Sequence, residues 1–401
     1  MKDLRADLQP IWQTVSGEAA WQAVADLSRF HRIQASPGYR RAAGYIHRRL
    51  VRAGLESEIL AYPADERTRF WAWSSFQEWD CAGATLRLVA PEKDAGLLAD
   101  FRACPTSLIQ RSHAFEGEAK VVLLEDGEEE EDYAGKDVAG KIVLTRGNVQ
   151  RVWELAVAER AAVGILFDGM RTVPPVRVEG DLADARQYTS FWWQAGDTPC
   201  FGFVLTPRQG RHLRRLLERG EEPVQVHAWV DGQLYDGQME VVSATIPGEI
   251  DEEVLVVTHL CHPQPSANDN ASGAAALLEA ARTLQALIHD GKLSPPRRTI
   301  RFLWVPEING TVAYLAGREE TLGRIVSGLN LDMVGEDQDQ TGSSWLIERP
   351  PDPAASFASD LLVRLRQEMI GLEDMADVSP GHTGAARYPL FRQAEVPFSG
   401  G

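Results

Sequence analysis

The sequence predicts an α/β fold, an α/β/α sandwich around a mixed, mostly parallel sheet, with a β-rich domain inserted into it. In residues 1–62 and 239–401, short apolar runs alternate with longer segments that carry apolar side chains at helical spacing, a pattern typical of α/β folds. Residues 63–238 instead show short strand-like runs separated by turns. At 401 residues the chain is long enough for two domains, each with its own core.

The first segment, residues 1–62, predicts helices followed by a strand. Apolar residues recur at helical spacing around Trp12, Trp21 and Ile46, and the last of these helices ends near Gly54. We assign this segment, together with residues 239–401, to one discontinuous domain that carries the candidate site.

The insertion contains strand-like runs at residues 85–89, 119–124 and 141–144, and a helical pattern from 153 to 162. Seven of the eleven tryptophans of the chain lie in it, and aromatic residues of this kind usually pack in a core. The cluster at residues 191–193 has a second interpretation, as an apolar wall over a cleft.

The segment after residue 253 places an imidazole and a carboxylate on either side of one loop. Residues 254–258 are a β-branched run that predicts a buried parallel strand, and a helical pattern extends from 274 to 288. His259 therefore lies at the carboxyl end of a strand, the edge where open α/β sheets bind ligands. Asp269 lies in the loop before the helix, as either a ligand or an ordinary N-cap.

Two further carboxylates follow strand-like runs in the same way. One run ends just before Glu307 and another just before Asp332. Because the carboxyl ends of parallel strands meet at one edge of a sheet, we expect both carboxylates to lie near His259 and Asp269. Imidazole nitrogens and carboxylate oxygens together suit a divalent cation. The sequence therefore predicts a metal site at this edge.

From residue 253 to residue 335 the chain resembles the zinc aminopeptidases of the M28 type. The resemblance rests on His-Leu-Cys-His-Pro at 259–263, Asn-Asp-Asn-Ala-Ser-Gly at 268–273 and Pro-Glu-Ile at 306–308. In more detail, the chain is similar to an uncharacterised, aminopeptidase-like branch of that clan. The resemblance implies a zinc-peptidase-like sandwich and the release of N-terminal amino acids by metal-activated water.

The resemblance also implies a role for individual residues. His259 would be a ligand of one metal ion, Asp269 the carboxylate that bridges or binds it, and Asp332 a further ligand. Glu307 would be the general base. The implied cofactor is zinc, as one or two ions, with cobalt or manganese as alternatives. The peptide bond between Asp269 and Asn270 is expected to be cis.

Two positions depart from the M28 pattern. Cys261 stands where those enzymes carry a carboxylate that orients the first histidine, and a thiol is expected to orient it poorly. Ile308 follows Glu307 where a second glutamate is expected. Glu307 therefore serves either as base or as ligand, and the centre holds either one metal ion or two.

A third departure concerns the late histidine ligand, for which two residues are candidates. His262, three residues after His259, is either a ligand or a loop histidine held by hydrogen bonds before Pro263. His382 lies in a Ser-Pro-Gly-His-Thr-Gly segment. Residues 397–401 resemble the start of the segment that carries this ligand in M28 enzymes, so we expect the sequence to be truncated there.

Part of the insertion, about residues 115–238, resembles a protease-associated domain. The resemblance rests on Asp-Val-Ala-Gly-Lys-Ile-Val-Leu at 137–144, the following helical pattern, and Val-Gly-Ile-Leu-Phe at 163–167. Such β-rich modules are often inserted in peptidases of this type, which strengthens a motif that is weak on its own.

Composition excludes several classes of partner. A formal net charge of −17 argues against nucleic acid or an anionic membrane surface as a partner. The four cysteines show no Cys-x-x-Cys pair, which favours a reducing compartment. The first residues contain no apolar leader, and no apolar run is long enough to span a membrane. We expect a cytoplasmic protein.

The combined prediction is a metal-dependent hydrolase, an aminopeptidase that acts on a peptide or small amide substrate. Two alternatives remain open. The same metal and base would serve a deacylase or amidohydrolase acting on a modified small molecule. The departures at Cys261 and Ile308 would instead fit a catalytically impaired binding or scaffold protein.

Overall fold

The structure is a computed structural model that describes residues 4–172, 178, 180–341, 345–350, 356–370 and 393–397. The helices in these ranges are α1 (Leu4–Thr14), α2 (Gly17–Leu27), α3 (Pro37–Arg52), α4 (Val149–Val152), α5 (Pro207–Arg219), α6 (Gly273–His289), α7 (Asn309–Ala316), α8 (Gln338–Thr341) and α9 (Phe357–Ile370). Short π-helical segments occupy Trp153–Ala158 and Ala267–Ser272. Within the same ranges, no helix has both the length and the apolar character needed to cross a bilayer.

The strands are, in chain order, β1 (Glu56–Ala64), β2 (Arg69–Phe70), β3 (Trp73–Ser74), β4 (Glu78–Ala90), β5 (Gly96–Asp100), β6 (Phe115–Leu123), β7 (Ile142–Thr145), β8 (Gly164–Phe167), β9 (Phe201–Val204), β10 (Gln225–Tyr235), β11 (Gly237–Ile246), β12 (Ile250–His259), β13 (Arg298–Val305), β14 (Ile325–Asn330), β15 (Trp345–Arg349) and β16 (Gln393–Pro397). The chain divides into two compact units. Unit 1 comprises Met1–Phe30, Arg41–Ala61 and Glu240–Gly401, and unit 2 comprises His31–Arg40 and Tyr62–Met239.

Unit 1 contains a mixed sheet in the order β1-β11-β13-β12-β14. Strand β12 lies between β13 and β14 and is parallel to both, whereas β11 is antiparallel to β13. Helix α6 packs against β12 and β13, α7 against β13, and α9 against β14. The predicted α/β class with a mixed sheet is therefore confirmed.

The core of unit 1 includes the apolar residues of β13, a segment that the sequence predicted to be a strand. Phe302, Leu303 and Trp304 of β13 are fully or almost fully buried, and burying a side chain of this size stabilises the fold by about 1.5–3 kcal/mol. The indole N–H of Trp304 donates to the carbonyl of Ala274 at 3.0 Å. This bond fixes the first turn of α6 on the sheet.

A largely buried ion pair joins the neighbouring strands β13 and β12 of this sheet. The guanidinium of Arg301 on β13 donates to both carboxylate oxygens of Glu253 on β12, each at 2.8 Å, and also to Ser243 Oγ on β11 at 3.0 Å. The hydrogen bonds from Arg301 hold the pKa of Glu253 below its usual value. One side chain thus fixes the alignment of three strands.

Unit 2 is built on a sheet in the order β5-β4-β10-β6-β7-β8-β9. Strand β10 is antiparallel to β4 and β6, and β6 to β9 run parallel. Phe191 and Trp193 are buried in a core with Trp153 and Cys200. The interpretation of residues 191–193 as an apolar wall is therefore wrong for these two, and only Trp192 of the three is exposed.

Candidate metal centre

The centre lies at one edge of the unit 1 sheet, where β12, β13 and β14 end side by side. His259, the last residue of β12, is paired with Val305, the last residue of β13. Val257 of β12 is paired with Asn330, the last residue of β14. The next few residues on each strand therefore leave the sheet at the same edge, as parallel strands require.

His259 lies between two carboxylates that come from different loops. Its Nε2 atom is 3.3 Å from Oδ1 of Asp269 and 3.3 Å from Oδ1 of Asp332. The imidazole is almost completely buried, with 5% of the side chain exposed, whereas each of the two carboxylates is 40% exposed. One candidate ligand atom from each of these three residues lies within 4.8 Å of the others.

A second group adjoins the first and shares His259 with it. His262 Nε2 lies 3.1 Å from Glu307 Oε2, and His262 Nδ1 lies 3.5 Å from Asp269 Oδ2. The two oxygens of Asp269 therefore face different histidines. His259, Cys261, His262 and Glu307 also each offer a ligand atom within 4.8 Å of one another.

Cys261 is buried beside this second group, with 1% of the residue exposed. Its Sγ atom accepts a hydrogen bond from the backbone N–H of Glu307 at 3.2 Å. The same atom lies 3.6 Å from Nδ1 of His259. The thiol therefore contacts the ends of both β12 and β13.

Asn270 forms hydrogen bonds to the backbone of the loop that carries Asp332. Its side chain is fully buried, and its Nδ2 donates to the carbonyl of Leu331 at 3.0 Å and to Thr258 Oγ1 at 3.1 Å. Its Oδ1 accepts from the N–H of Met333 at 3.2 Å and of Gly273 at 2.9 Å. The loop after β12 thus holds residues on both sides of Asp332.

Ser272, Asn268 and Gly273 also contribute to the contact between the loop after β12 and the loop that carries Asp332. Ser272 Oγ accepts from the N–H of Val334 at 3.0 Å, and Asn268 Oδ1 accepts from the N–H of Gly335 at 3.1 Å. At Gly273, a Cβ atom would lie 2.4 Å from Asn270 Oδ1, so the close approach requires glycine. The peptide bond between Asp269 and Asn270 is cis, as expected.

The carboxylates control the charge of the buried imidazole. Burial lowers the pKa of His259, but hydrogen bonds to Asp269 and Asp332 outweigh this effect and raise it to about 12. The hydrogen bond from His262 lowers the pKa of Glu307, against the opposing effect of its burial. The acidic surroundings of the His259 ring therefore favour positive charge at this position, which is the place that a cation would take.

The structure brings together five of the six residues that the sequence singled out, namely His259, His262, Asp269, Glu307 and Asp332. The sixth, His382, lies outside the described residues. Sequence reasoning missed the contact of Cys261 with Glu307 and the attachment made by Asn270. The Asn-Asp-Asn-Ala-Ser-Gly run offered a signal for the second, because a buried amide is a natural partner for loop backbone.

The donor set fits a divalent cation. Imidazole nitrogen and carboxylate oxygen are the ligands that zinc, cobalt and manganese accept in proteins. Asp269 and Asp332 converge on the same nitrogen of His259. The buried imidazole and the half-exposed carboxylates also leave a side open to solvent, as a catalytic metal site requires.

Comparisons of the sequence with known proteins give one family model and one curated relative. Residues 153–346 match a domain described only as of unknown function (DUF4910). A protein of Clostridium acetobutylicum, named as a polysaccharide biosynthesis protein with an aminopeptidase-like domain, is 35% identical over 107 residues. The match covers 27% of this chain and 23% of that protein.

Solved structures share the fold. A zinc aminopeptidase from Bacillus subtilis superposes with a TM-score of 0.62 at 17% identity, covering 88% of this chain and 77% of that one. An M28 peptidase precursor from Shewanella amazonensis gives a TM-score of 0.61 at 16% identity, covering 94% and 81%. The chain therefore has the fold of the M28-type zinc aminopeptidases.

Proposed function

We propose that this chain, with the fold of the M28-type zinc aminopeptidases, is a metal-dependent hydrolase that cleaves peptide bonds. More narrowly, we propose an aminopeptidase that releases N-terminal amino acids. The observation that carries the proposal is the convergence of Asp269 and Asp332 on one nitrogen of His259, with Glu307 beside them.

The ligands of the proposed cation are His259, Asp269 and Asp332. Zinc is the first candidate, and cobalt or manganese would suit the same donors. A divalent ion bound there would lower the pKa of water and polarise the scissile carbonyl. His262 and Glu307 lie next to this position. Together with Asp269 they are the residues that would hold a second ion, and in that case Glu307 would be a ligand and not the base.

Glu307 is the proposed general base. Its pKa is lowered, which leaves the carboxylate ionised at neutral pH and able to accept a proton from the attacking water. The same carboxyl group then donates that proton to the leaving amine. The hydrogen bond from His262 Nε2 at 3.1 Å would hold the Glu307 carboxylate on the side facing the ligands.

A second candidate is a deacylase or amidohydrolase that acts on a modified sugar or amino acid. It is favoured by the name of the Clostridium acetobutylicum relative, which refers to polysaccharide biosynthesis. Hydrolysis of an N-acyl group uses the same cation and the same base as hydrolysis of a peptide bond. The two candidates differ in the group that the substrate presents next to the amide.

Two assays test the proposal. Elemental analysis of the purified protein is expected to find divalent metal, and metal-loaded protein is expected to hydrolyse aminoacyl-anilides faster than N-acyl sugars or N-acyl amino acids. The reverse preference would favour the second candidate. Substoichiometric metal that zinc, manganese or cobalt fails to restore would favour a binding or scaffold protein.

For the insertion, we propose that residues 115–238 form a protease-associated-like domain. The support is the parallel run β6-β7-β8-β9, with helical segments between β7 and β8, in the part of unit 2 where the sequence motif lies.

A further inference from the structure

Cys261 occupies a position between the two strand ends that carry His259 and Glu307. It lies two residues after His259 and is buried, and its sulfur contacts groups from both β12 and the chain after β13. The sequence led us to expect a thiol that packs but orients the imidazole poorly. The contacts of Cys261 point to a more specific role.

The first contact concerns the imidazole. When a histidine binds a cation through Nε2, its Nδ1 carries the proton, and a hydrogen-bond acceptor near Nδ1 fixes the orientation of the ring. In His259, Nε2 faces Asp269 and Asp332, and Nδ1 lies 3.6 Å from Cys261 Sγ. The sulfur is therefore placed to accept the Nδ1 proton.

The second contact concerns the proposed base. The backbone N–H of Glu307 donates to the same sulfur at 3.2 Å. Ile308, the next residue, has a φ of +57°, a conformation that β-branched residues rarely adopt. The chain therefore turns sharply after Glu307, and the bond to Cys261 holds it at the start of that turn.

We infer that Cys261 is a positioning residue that couples the ring of His259 to the backbone of Glu307 through one shared sulfur atom. This inference rests on the proposed function, because it assigns His259 to the cation and Glu307 to the proton. Cys261 itself is not a ligand in this assignment. Its sulfur takes the orienting role that a carboxylate has two residues after the first histidine in the M28 pattern.

The test compares Cys261→Ala, Cys261→Ser and Cys261→Asp with the unaltered protein. Removing an orienting partner of a metal-bound histidine typically costs 10–100-fold in metal affinity. We therefore expect Cys261→Ala to weaken zinc binding by about 10–100-fold in a chelator competition assay. Serine and aspartate keep an acceptor atom, so those variants are expected to recover part of the affinity. Cys200→Ser, a change at a buried thiol of unit 2, is the matched control and is expected to bind zinc normally.

Several outcomes would overturn the inference. Cys261→Ala could bind zinc as tightly as the unaltered protein and lose only stability in urea unfolding of the metal-free form, which would make the thiol a packing residue. A sulfur-to-cobalt charge-transfer band in the cobalt-loaded protein would make Cys261 a ligand. Failure of the unaltered protein to bind any divalent metal would instead refute the proposed function, and the inference with it.

Should Cys261→Ala not fold, Cys261→Ser decides the question alone, because it replaces one atom. Its hydroxyl oxygen is shorter in reach than sulfur, so a positioning role predicts weaker zinc binding and an altered cobalt absorption spectrum. Unchanged zinc affinity and an unchanged spectrum in Cys261→Ser would also overturn the inference.

Discussion

At the scale of single residues, the acidic side chains of the centre are distinguished by the histidine that each one faces. Asp332 lies 3.3 Å from His259, Glu307 lies 3.1 Å from His262, and Asp269 reaches both histidines with its two oxygens. Chemically similar groups therefore have different expected roles, and substitutions can separate binding from turnover.

Glu307→Gln is expected to keep the metal and lose turnover. The amide retains the shape of the carboxyl group but cannot accept a proton, and general-base and electrostatic roles are each typically worth ~10²-fold or more in rate. The measurement is kcat on an aminoacyl-anilide alongside metal content. Glu320→Gln, a change at an exposed glutamate of the same unit, serves as the control. Unaltered kcat in Glu307→Gln would remove Glu307 from the mechanism.

Asp269→Ala is expected to lose the metal itself. Its carboxylate lies within 3.5 Å of both His259 and His262, so its loss removes a proposed ligand and a hydrogen-bond partner of each ring. Elemental analysis after dialysis against zinc gives the readout, with Asp290→Ala, on the exposed end of α6, as the control. A full complement of zinc in Asp269→Ala would contradict the assignment.

At the scale of elements, the strand ends were predictable and the contacts between loops were not. The β-branched and aromatic runs that became β12 and β13 predict buried parallel strands, and the position of His259 and Glu307 follows from where those runs stop. The bond from the N–H of Glu307 to Cys261 joins residues 46 apart. Its existence depends on strand register and on a sharp turn at Ile308, which residue patterns do not encode locally.

The hydrogen bonds of Asn270 to the loop that carries Asp332 were likewise not predictable from the sequence. The run at 268–273 could be interpreted as a helix cap, and Asn270 does accept the N–H of Gly273 in that manner. Two of its other partners, Leu331 and Met333, come from beyond β14. The sequence identified the candidate ligands because adjacent parallel strands end at the same edge of the sheet. It missed Asn270 and Cys261 because their hydrogen bonds join loops that are far apart in the sequence.

The ion pair between β12 and β13 leads to a prediction about pH. Hydrogen bonds from Arg301 lower the pKa of Glu253 from its ordinary value of 4.5, so the stabilisation is present above that value and is lost as pH falls through the folded value. Glu253→Gln is expected to lower the free energy of unfolding by about 1.5–3 kcal/mol at neutral pH. The difference from the unaltered protein should shrink on acidification.

Urea unfolding of both proteins over a pH series provides the measurement. Glu252→Gln, at the adjacent and more exposed carboxylate that pairs with Arg298, is the control, because exposed pairs contribute roughly 0–1 kcal/mol. A gap between Glu253→Gln and the unaltered protein that stayed constant into the acid range would show that Glu253 stabilises the sheet through packing.

At the scale of the whole molecule, the expected ligands all belong to unit 1, and none is contributed by unit 2 among the described residues. Metal binding should therefore stabilise unit 1. A cation at a hundredfold excess over its Kd stabilises a folded unit by about 2.7 kcal/mol. Differential scanning calorimetry with and without chelator should show a lower Tm for unit 1 after metal removal. Asp269→Ala should show no such shift, and a shift of equal size in that variant would place the cation elsewhere.

The attachment made by Asn270 has a consequence for engineering. Residues 268–273 hydrogen-bond the backbone on both sides of Asp332. The loop that carries Asp269 and the loop that carries Asp332 would therefore have to be transferred together into another protein. A graft that carried only the first loop into another sheet would deliver Asp269 without its counterpart. Loop insertions between residues 331 and 335 should likewise be poorly tolerated. Insertions in loops at the opposite edge of the sheet should leave the positions of Asp269 and Asp332 unchanged.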